Sequence, residues 1–269
     1  MKFLNYVYQH INILSLDVVA GAVISSLFFA RLLEVSISFS AVATLALSVW
    51  IIYTMDHLRD AMTITKIAST DRHRFHQKHF RIMTLILLLV IVVDVVLVWF
   101  ISSNILGAGL LLGVVVLTYL VFQRYLKFLK EFFVACLYTM GILLPSIASA
   151  GVSVMPIHYL IFAKFFVTAL MNLLLFSLFD HEEDRLHRQH SFVTWFGPGS
   201  TRYGIIILGL INILSGLWLW NFDARVAMIF IAMNLLLLGV LLFRKQLHCN
   251  NYYRILGDAA FFIPGLYLL

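Results

Sequence analysis

The sequence has few charges, few prolines and few cysteines for its length. Only 12% of its 269 residues are charged, whereas soluble globular domains carry about 25%. So few charges cannot cover the surface of a water-soluble particle of this size, which excludes a soluble enzyme and a disordered chain. Four prolines and 14 glycines exclude a Pro/Gly-rich low-complexity chain. Two cysteines exclude a disulfide-stapled secreted module.

Long apolar runs take the place of charge. Hydrophobic residues make up 62% of the chain and the mean hydropathy is +0.97. A helix needs about 20 apolar residues to cross the hydrocarbon core of a bilayer. By that measure residues 1–269 form a single all-α, multi-pass transmembrane domain with nine predicted spans. The spans are Ile13–Ala30, Ile37–Met55, Ile82–Ile101, Ile105–Phe122, Phe132–Ala150, Ile157–Phe179, Gly204–Trp220, Val226–Phe243 and Ile255–Leu268.

The basic residues are distributed unequally between the two sides of these spans. Of the 19 Lys and Arg residues, sixteen lie at the N-terminus and in the loops after spans 2, 4, 6 and 8. Arg31 and Arg225 lie on the opposite side, and Lys164 lies within span 6, where its amine is expected to snorkel outward. The positive-inside rule then places the N-terminus and the even-numbered loops in the cytoplasm and the C-terminus on the opposite side. It also gives the net charge of +6 a topological explanation, so nucleic acid is not expected as a partner.

Two acidic pairs occupy matched positions on the predicted cytoplasmic side. Asp56 and Asp60 follow span 2, and Asp180 and Asp184 follow span 6. Residues i and i+4 share one helical face, so each pair presents two carboxylates in one direction. Like charges at that spacing repel, and a divalent cation with a preference for hard oxygen ligands compensates them. The pattern therefore predicts Mg²⁺ as the cofactor.

Basic segments follow both acidic pairs. Mg²⁺ held by carboxylates and flanked by Arg and Lys suits a diphosphate, because the ion bridges acid and phosphate oxygens while guanidinium groups bind the remaining oxygens. The predicted diphosphate-binding residues are Arg72, Arg74, Lys78, Lys130 and Arg188.

At this point the sequence resembles the UbiA family of intramembrane prenyltransferases. That family has nine transmembrane helices and two aspartate-rich motifs, which follow helices 2 and 6 on the cytoplasmic side. The second motif matches best, with Asn172 two turns before Asp180 and Asp184, and with Gly197 downstream. The family's first motif is N-D-x-x-D-x-x-x-D, and here Ile52 and Tyr53 stand at its first two positions.

The resemblance implies a bundle around a cytoplasm-facing cavity that transfers an isoprenyl group from its diphosphate to a lipophilic acceptor, with an aromatic acceptor expected. Asp56, Asp60, Asp180 and Asp184 are then the catalytic, Mg²⁺-binding residues. Asn172 joins the basic residues in substrate binding. The rings of Tyr53 and Tyr138 are expected to stabilise an allylic carbocation inside the bundle. The enzyme class is a transferase of alkyl groups other than methyl, with the bilayer as the further partner.

Two alternatives stay open at this stage. The incomplete first motif is compatible with a degenerate relative that binds a diphosphate lipid without turning it over. Asp17 and Asp94 lie within predicted spans 1 and 3, where ionisable residues are costly. They allow a small proton-coupled transporter, for which helices broken at the middle of the bilayer are expected.

Overall fold

The chain folds into a bundle of helices, described here from a computed structural model. The structure describes residues 10–63, 71–149, 154–186, 190–248 and 252–269. Its α-helices are α1 (Leu16–Leu32), α2 (Phe39–Thr63), α3 (Asp71–Lys78), α4 (Phe80–Val98), α5 (Ser103–Phe122), α6 (Lys130–Ser149), α7 (Pro156–Phe179), α8 (His181–Leu186), α9 (Phe192–Leu219), α10 (Ala224–Leu242), α11 (Arg244–Leu247) and α12 (Tyr252–Ala259). Short 3₁₀ turns cover Gln123–Tyr125 and Lys127–Leu129, and a longer 3₁₀ segment covers Ala260–Tyr267.

Seven of the described helices are long and apolar enough to cross a membrane: α2, α4, α5, α6, α7, α9 and α10. Two shorter segments lie where the first and last spans were predicted. These are α1, with 17 residues, and α12, which continues into the 3₁₀ segment Ala260–Tyr267. The prediction of an all-helical, multi-pass membrane protein is confirmed, and the count of nine spans stays a prediction that depends on these two segments.

The helices pack as a ring that the C-terminal segment closes. Helix α1 packs against α2, α6 and Ala260–Tyr267, and the ring continues from α6 through α7 and α9 to α10, which contacts Ala260–Tyr267 again. Helix α7 is the most enclosed, since 61% of its span is buried, whereas only 11% of α4 and 6% of α5 are buried. The apolar side chains of α4 and α5 therefore cover the outside of the bundle, as lipid contact requires.

Aromatic rings fill the core between α1, α7 and α10. Phe29 contacts Phe165 and Phe28 edge to face at 5.2 and 5.0 Å, and Phe28 contacts Phe230 at 6.3 Å. All four rings are fully buried. Edge-to-face pairs add about 0.5–1.5 kcal/mol each beyond their area burial, so these contacts fix the relative positions of three helices.

Lys164 does not snorkel, and that prediction is wrong. Its side chain is 2% exposed and points into the bundle, where Nζ donates to the backbone and side-chain oxygens of Asn212 and, at 2.9 Å, to Ser215 Oγ. Three acceptors inside the protein satisfy the ammonium group, so it does not need to reach the aqueous interface.

Helix α9 is interrupted near its beginning. Gly197 has φ 80° and ψ 159°, a conformation that favours glycine, and Pro198 follows it. The interruption lies at the end of the bundle that carries the acidic residues, and not at the middle of the span.

Candidate functional site

The two acidic pairs occupy the same end of the bundle. Asp56 and Asp60 lie in the last turns of α2. Asp180 ends α7, Asp184 lies in α8, and the Asp184 amide donates to the Asp180 carbonyl at 2.9 Å. The i,i+4 spacing predicted from the sequence is therefore a continuous helical turn at both places.

Lys130 connects the two pairs. It begins α6, and its charge acts on Asp56 from α2 and also on Asp184 from α8. One ammonium group within electrostatic range of both carboxylates indicates that the two pairs lie near each other at this end of the bundle. The convergence of the four acids on one cavity, and the role of Lys130 in that site, stay predictions.

The end of α5 holds the first pair in place. Gln123 Nε2 donates to Asp56 Oδ1 at 3.4 Å, and Tyr119 Oη donates to Gln123 Oε1 at the same distance. Arg59 Nη1 donates to the Leu120 carbonyl at 2.7 Å, and its charge also acts on Asp56. Tyr119 and Gln123 thus orient the Asp56 carboxylate, and Arg59 adds positive charge beside it.

The second pair is enclosed and electrostatically strained. Burial raises the pKa of Asp184 to about 6, the Ser191 hydroxyl lowers it, Asp180 raises it and Lys130 lowers it. A second negative charge beside a desolvated carboxylate favours the protonated form. A bound cation reverses that balance, so the local electrostatics favour cation binding.

Glu131 anchors the chain that returns to the membrane after the second pair. Its Oε1 accepts from the Phe192 amide at 2.9 Å, and Ser191 and Thr194 cap the same helix end by accepting reciprocal hydrogen bonds. Glu131 is 7% exposed. It holds the beginning of α9 against the beginning of α6, next to Lys130.

Asp180 is bound by the beginning of α12. Tyr253 Oη donates to Asp180 Oδ1 at 2.5 Å, and Arg254 Nη2 donates to Asp180 Oδ2 at 2.5 Å. Arg254 Nε donates to Tyr253 Oη at 3.2 Å. Both carboxylate oxygens of Asp180, predicted from the sequence as a metal ligand, thus accept hydrogen bonds from the last helix.

Gln123, Tyr253 and Arg254 are site residues that the sequence did not identify. Arg254 was counted only as one of the basic residues that set the topology. The sequence shows only that Arg254 lies just before the last apolar run, on the side that carries both acidic pairs. Nothing in the local pattern distinguishes it from the other cations of that side.

The predicted basic residues after α2 lie on α3, and their roles in diphosphate binding stay predictions. Arg74 and Lys78 lie on α3 with exposed side chains. Helix α3 rests on α2 through His76, whose ring stacks on that of His57 at 5.1 Å. The side chain of Arg72 and the whole of Arg188 lie outside the described residues.

Asn172 and the two predicted tyrosines lie inside the bundle. Asn172 Oδ1 is buried, without a hydrogen-bond partner among the described residues. Tyr138 stacks on Phe165 at 6.3 Å and meets Phe261 edge to face at 5.5 Å. Tyr53 packs against the same core, within electrostatic range of Tyr138. Their predicted roles in substrate binding stay predictions.

The two intramembrane acids occupy separate environments. Asp17 is 2% exposed, accepts from Asn12 Nδ2 at 2.6 Å and lies within electrostatic range of Tyr138. Asp94 on α4 accepts from Ser48 Oγ on α2 at 3.0 Å. Within the described part of the chain no hydrogen bond joins the two acids.

The close approach of α12 to α7 depends on Gly257. A Cβ atom at this position would lie 2.5 Å from Asn172 Oδ1 and 2.6 Å from the Phe176 ring. We expect Gly257→Ala to push α12 away from α7 and to lower the free energy of unfolding by about 1–3 kcal/mol, measured by thermal unfolding in detergent. Gly239→Ala is the matched control, because nothing lies within 4 Å of its Cβ. An unchanged melting temperature for Gly257→Ala would contradict this packing.

The donor set fits Mg²⁺ that is held jointly by protein and substrate. Among the described residues no three His, Cys, Asp or Glu side chains come together around one ion. Mg²⁺ is usually bound through one or two carboxylates, and phosphates and water complete the octahedron. The carboxylates within electrostatic range of Lys130, Asp56 on α2 and Asp184 on α8, supply that number of protein ligands.

Solved structures of UbiA homologues share this architecture over nearly the full chain. A UbiA homologue from Archaeoglobus fulgidus bound to GPP and Mg²⁺ has a TM-score of 0.68 at 12% identity, covering 96% of this chain and 98% of that one. The apo structure of a UbiA homologue from Aeropyrum pernix K1 has a TM-score of 0.66 at 12% identity, with 95% and 97% covered. No protein-family model and no curated protein matches the sequence. The chain therefore has the fold of the UbiA homologues, as its motifs predicted.

Proposed function

We propose that this protein is a Mg²⁺-dependent intramembrane prenyltransferase that transfers an isoprenyl group from a prenyl diphosphate to a lipophilic, aromatic acceptor. The observation that carries the proposal is the position of Lys130, which acts on acids of both pairs. The Archaeoglobus fulgidus homologue, which has the same fold, is bound in its structures to DMAPP and Mg²⁺ and to GPP and Mg²⁺. That supports a diphosphate as the ligand of the matching end of this bundle.

The acids supply the ligands and Lys130 supplies fixed positive charge. Asp56, Asp60 and Asp184 would hold Mg²⁺, which neutralises phosphate oxygens and so makes diphosphate a better leaving group. Asp180 is left out of this set because both of its oxygens are engaged by α12. The Lys130 ammonium would bind the oxygens that gain charge as the diphosphate leaves.

The reaction breaks the bond between C1 of the prenyl chain and the diphosphate oxygen, and the electron pair leaves with that oxygen. The allylic cation that remains is attacked by the acceptor, which then loses a proton. Water would quench the cation, and the apolar interior of the bundle excludes it. The ring faces of Tyr53 and Tyr138 would stabilise the cation by a few tenths of a kcal/mol to about 2 kcal/mol each.

The test is the release of diphosphate from labelled prenyl diphosphates by the purified protein, with and without Mg²⁺ and with a panel of aromatic acceptors. We expect Mg²⁺-dependent release that falls at least about 100-fold in Asp56→Asn and in Asp184→Asn, since each loses a ligand charge at the metal. Asp94→Asn is the matched control: it removes an acid of the same chain away from the site, and it should retain the activity.

Two outcomes would overturn the proposal. Release at the same rate in all three variants would remove the acids from the chemistry. Tight, Mg²⁺-dependent binding without release or product, with every acceptor, would favour the degenerate, lipid-binding interpretation that the incomplete first motif leaves open.

A further inference from the structure

Arg254 and Asp180 form an ion pair that is mostly buried but keeps part of each side chain accessible. The two side chains are 21% and 19% exposed. About one-fifth of each side chain is therefore accessible to a ligand, while the buried remainder holds the pair in place. The contact joins residues 74 positions apart beside Asp184, which the Asp180 charge reaches.

The guanidinium group is held rigidly in one orientation. Asp180 accepts from Nη2 and the Tyr253 hydroxyl accepts from Nε, which uses two of the five N–H donors of an arginine. The group also lies over the Phe176 ring at 5.4 Å and the Tyr253 ring at 5.5 Å. An arginine held in this way is preorganised to bind phosphate oxygens in its plane, because little side-chain entropy is left to lose.

Tyr253 is fixed in turn by the helix that carries the second acidic pair. Its ring lies parallel to that of Phe179 at 4.1 Å, with an interplanar angle of 2°. Phe179 and Asp180 are consecutive residues, so the end of α7 positions both the tyrosine and the carboxylate that orient Arg254. The close contact at Gly257 keeps α12 in this register.

We propose that Arg254 binds the diphosphate at the second acidic pair, with Asp180 and Tyr253 as its positioning residues, so that Asp184 is the metal ligand of this pair. This inference rests on the proposed function and deepens it, because it assigns one face of the diphosphate to an arginine from the last helix. It also gives different roles to Asp180 and Asp184, which the sequence presents as equivalent.

The test is a binding measurement that needs no turnover. The probe is geranyl thiolodiphosphate, an analogue that resists ionisation, titrated calorimetrically into the full-length protein in detergent with saturating Mg²⁺. Mn²⁺ is titrated separately in the absence of the probe and followed by electron paramagnetic resonance. We expect Arg254→Gln to weaken probe binding about 10- to 100-fold, the range for hydrogen bonds to charged groups. Mn²⁺ affinity should be undiminished, and Arg254→Lys should restore part of the probe binding.

Arg244→Gln is the matched control. Arg244 is the neighbouring guanidinium on this face, but it donates to the Leu178 carbonyl at 3.0 Å and lies over Phe179. Its removal should leave probe affinity within about twofold of the unmodified chain. If Arg254→Gln does not fold, Tyr253→Phe provides the second test, because it removes only one hydroxyl. It should weaken probe binding about 3- to 10-fold.

The variant Asp180→Asn distinguishes a role of Asp180 in positioning Arg254 from a role as a metal ligand. A positioning role predicts weaker probe binding with unchanged Mn²⁺ affinity, and a loss of Mn²⁺ affinity would overturn this assignment. Probe affinity that is unchanged in Arg254→Gln and Tyr253→Phe, with normal binding by the unmodified chain, overturns the role of Arg254 alone. If the unmodified chain does not bind the probe with Mg²⁺, the proposed function fails as well.

Discussion

Replacing Lys130 by methionine is expected to weaken Mg²⁺-dependent binding of a prenyl diphosphate about 10- to 100-fold. The ammonium group acts on both Asp56 and Asp184, so its loss removes positive charge from both halves of the site at once. A hydrogen bond to a charged group contributes about 1.5–3 kcal/mol, which corresponds to this range of affinity. Methionine keeps the length and the helix propensity of the side chain, so the expected loss is electrostatic.

Lys127→Met is the control for this prediction. Lys127 lies three residues earlier in the chain, but its amine is placed over the Trp195 ring at 5.3 Å and not between the acids. Binding of geranyl thiolodiphosphate, followed calorimetrically at several ionic strengths, should stay close to that of the unmodified chain. Equal losses in Lys127→Met and Lys130→Met would indicate a diffuse electrostatic effect and would contradict the specific placement of Lys130.

Hydropathy and spacing were sufficient for the architecture because both are local properties. Apolar runs of about 20 residues determine where helices form in a bilayer, and the spacing of Asp56 and Asp60 places both on one helical face. The even number of spans between the two acidic pairs then places them at the same end of the bundle. Their shared end follows from topology, and so it could be predicted without any knowledge of side-chain packing.

The partner of each charged side chain was not predictable in the same way. Arg254 pairs with Asp180 across 74 positions, and a pattern of local spacing holds no information about which of many cations will face a given acid. The phosphate contacts predicted for Arg74 and Lys78, whose side chains are exposed on α3, stay a prediction for the same reason.

Lys164 shows why hydropathy also fails for buried polar groups. A lysine within an apolar span suggests an amine that reaches the interface, since the sequence gives no sign of an acceptor. Its acceptors come from Asn212 and Ser215 on α9, more than 40 positions along the chain. Only the packing of α7 against α9 makes them neighbours.

Replacing Asn212 by leucine is expected to cause the largest loss of stability of the variants considered. Asn212 is 3% exposed and connects three helices. Its carboxamide oxygen accepts from Lys164 on α7 at 2.9 Å, and Nδ2 donates to Thr168 on α7 at 3.0 Å and to Asn234 on α10 at 3.1 Å. Nδ2 also donates to the Lys164 carbonyl at 3.1 Å. Leucine removes all four bonds and leaves a buried ammonium group with fewer acceptors.

The expected cost is about 3–5 kcal/mol, since one lost hydrogen bond to a charged group contributes about 1.5–3 kcal/mol and the three neutral ones contribute about 0.6 kcal/mol each. A single interhelical hydrogen bond in a membrane protein contributes less, about 0.6 kcal/mol on average, and Ser215→Ala, which removes one acceptor of Lys164, should cost about that much. The free energies of unfolding of these variants are compared by unfolding the purified proteins in mixed micelles of increasing SDS content.

The double variant Lys164→Met with Asn212→Leu should recover part of the lost stability, because it removes the charge that leucine leaves unsatisfied. A double variant no more stable than Asn212→Leu alone would show that packing, and not the unsatisfied ammonium group, causes the loss.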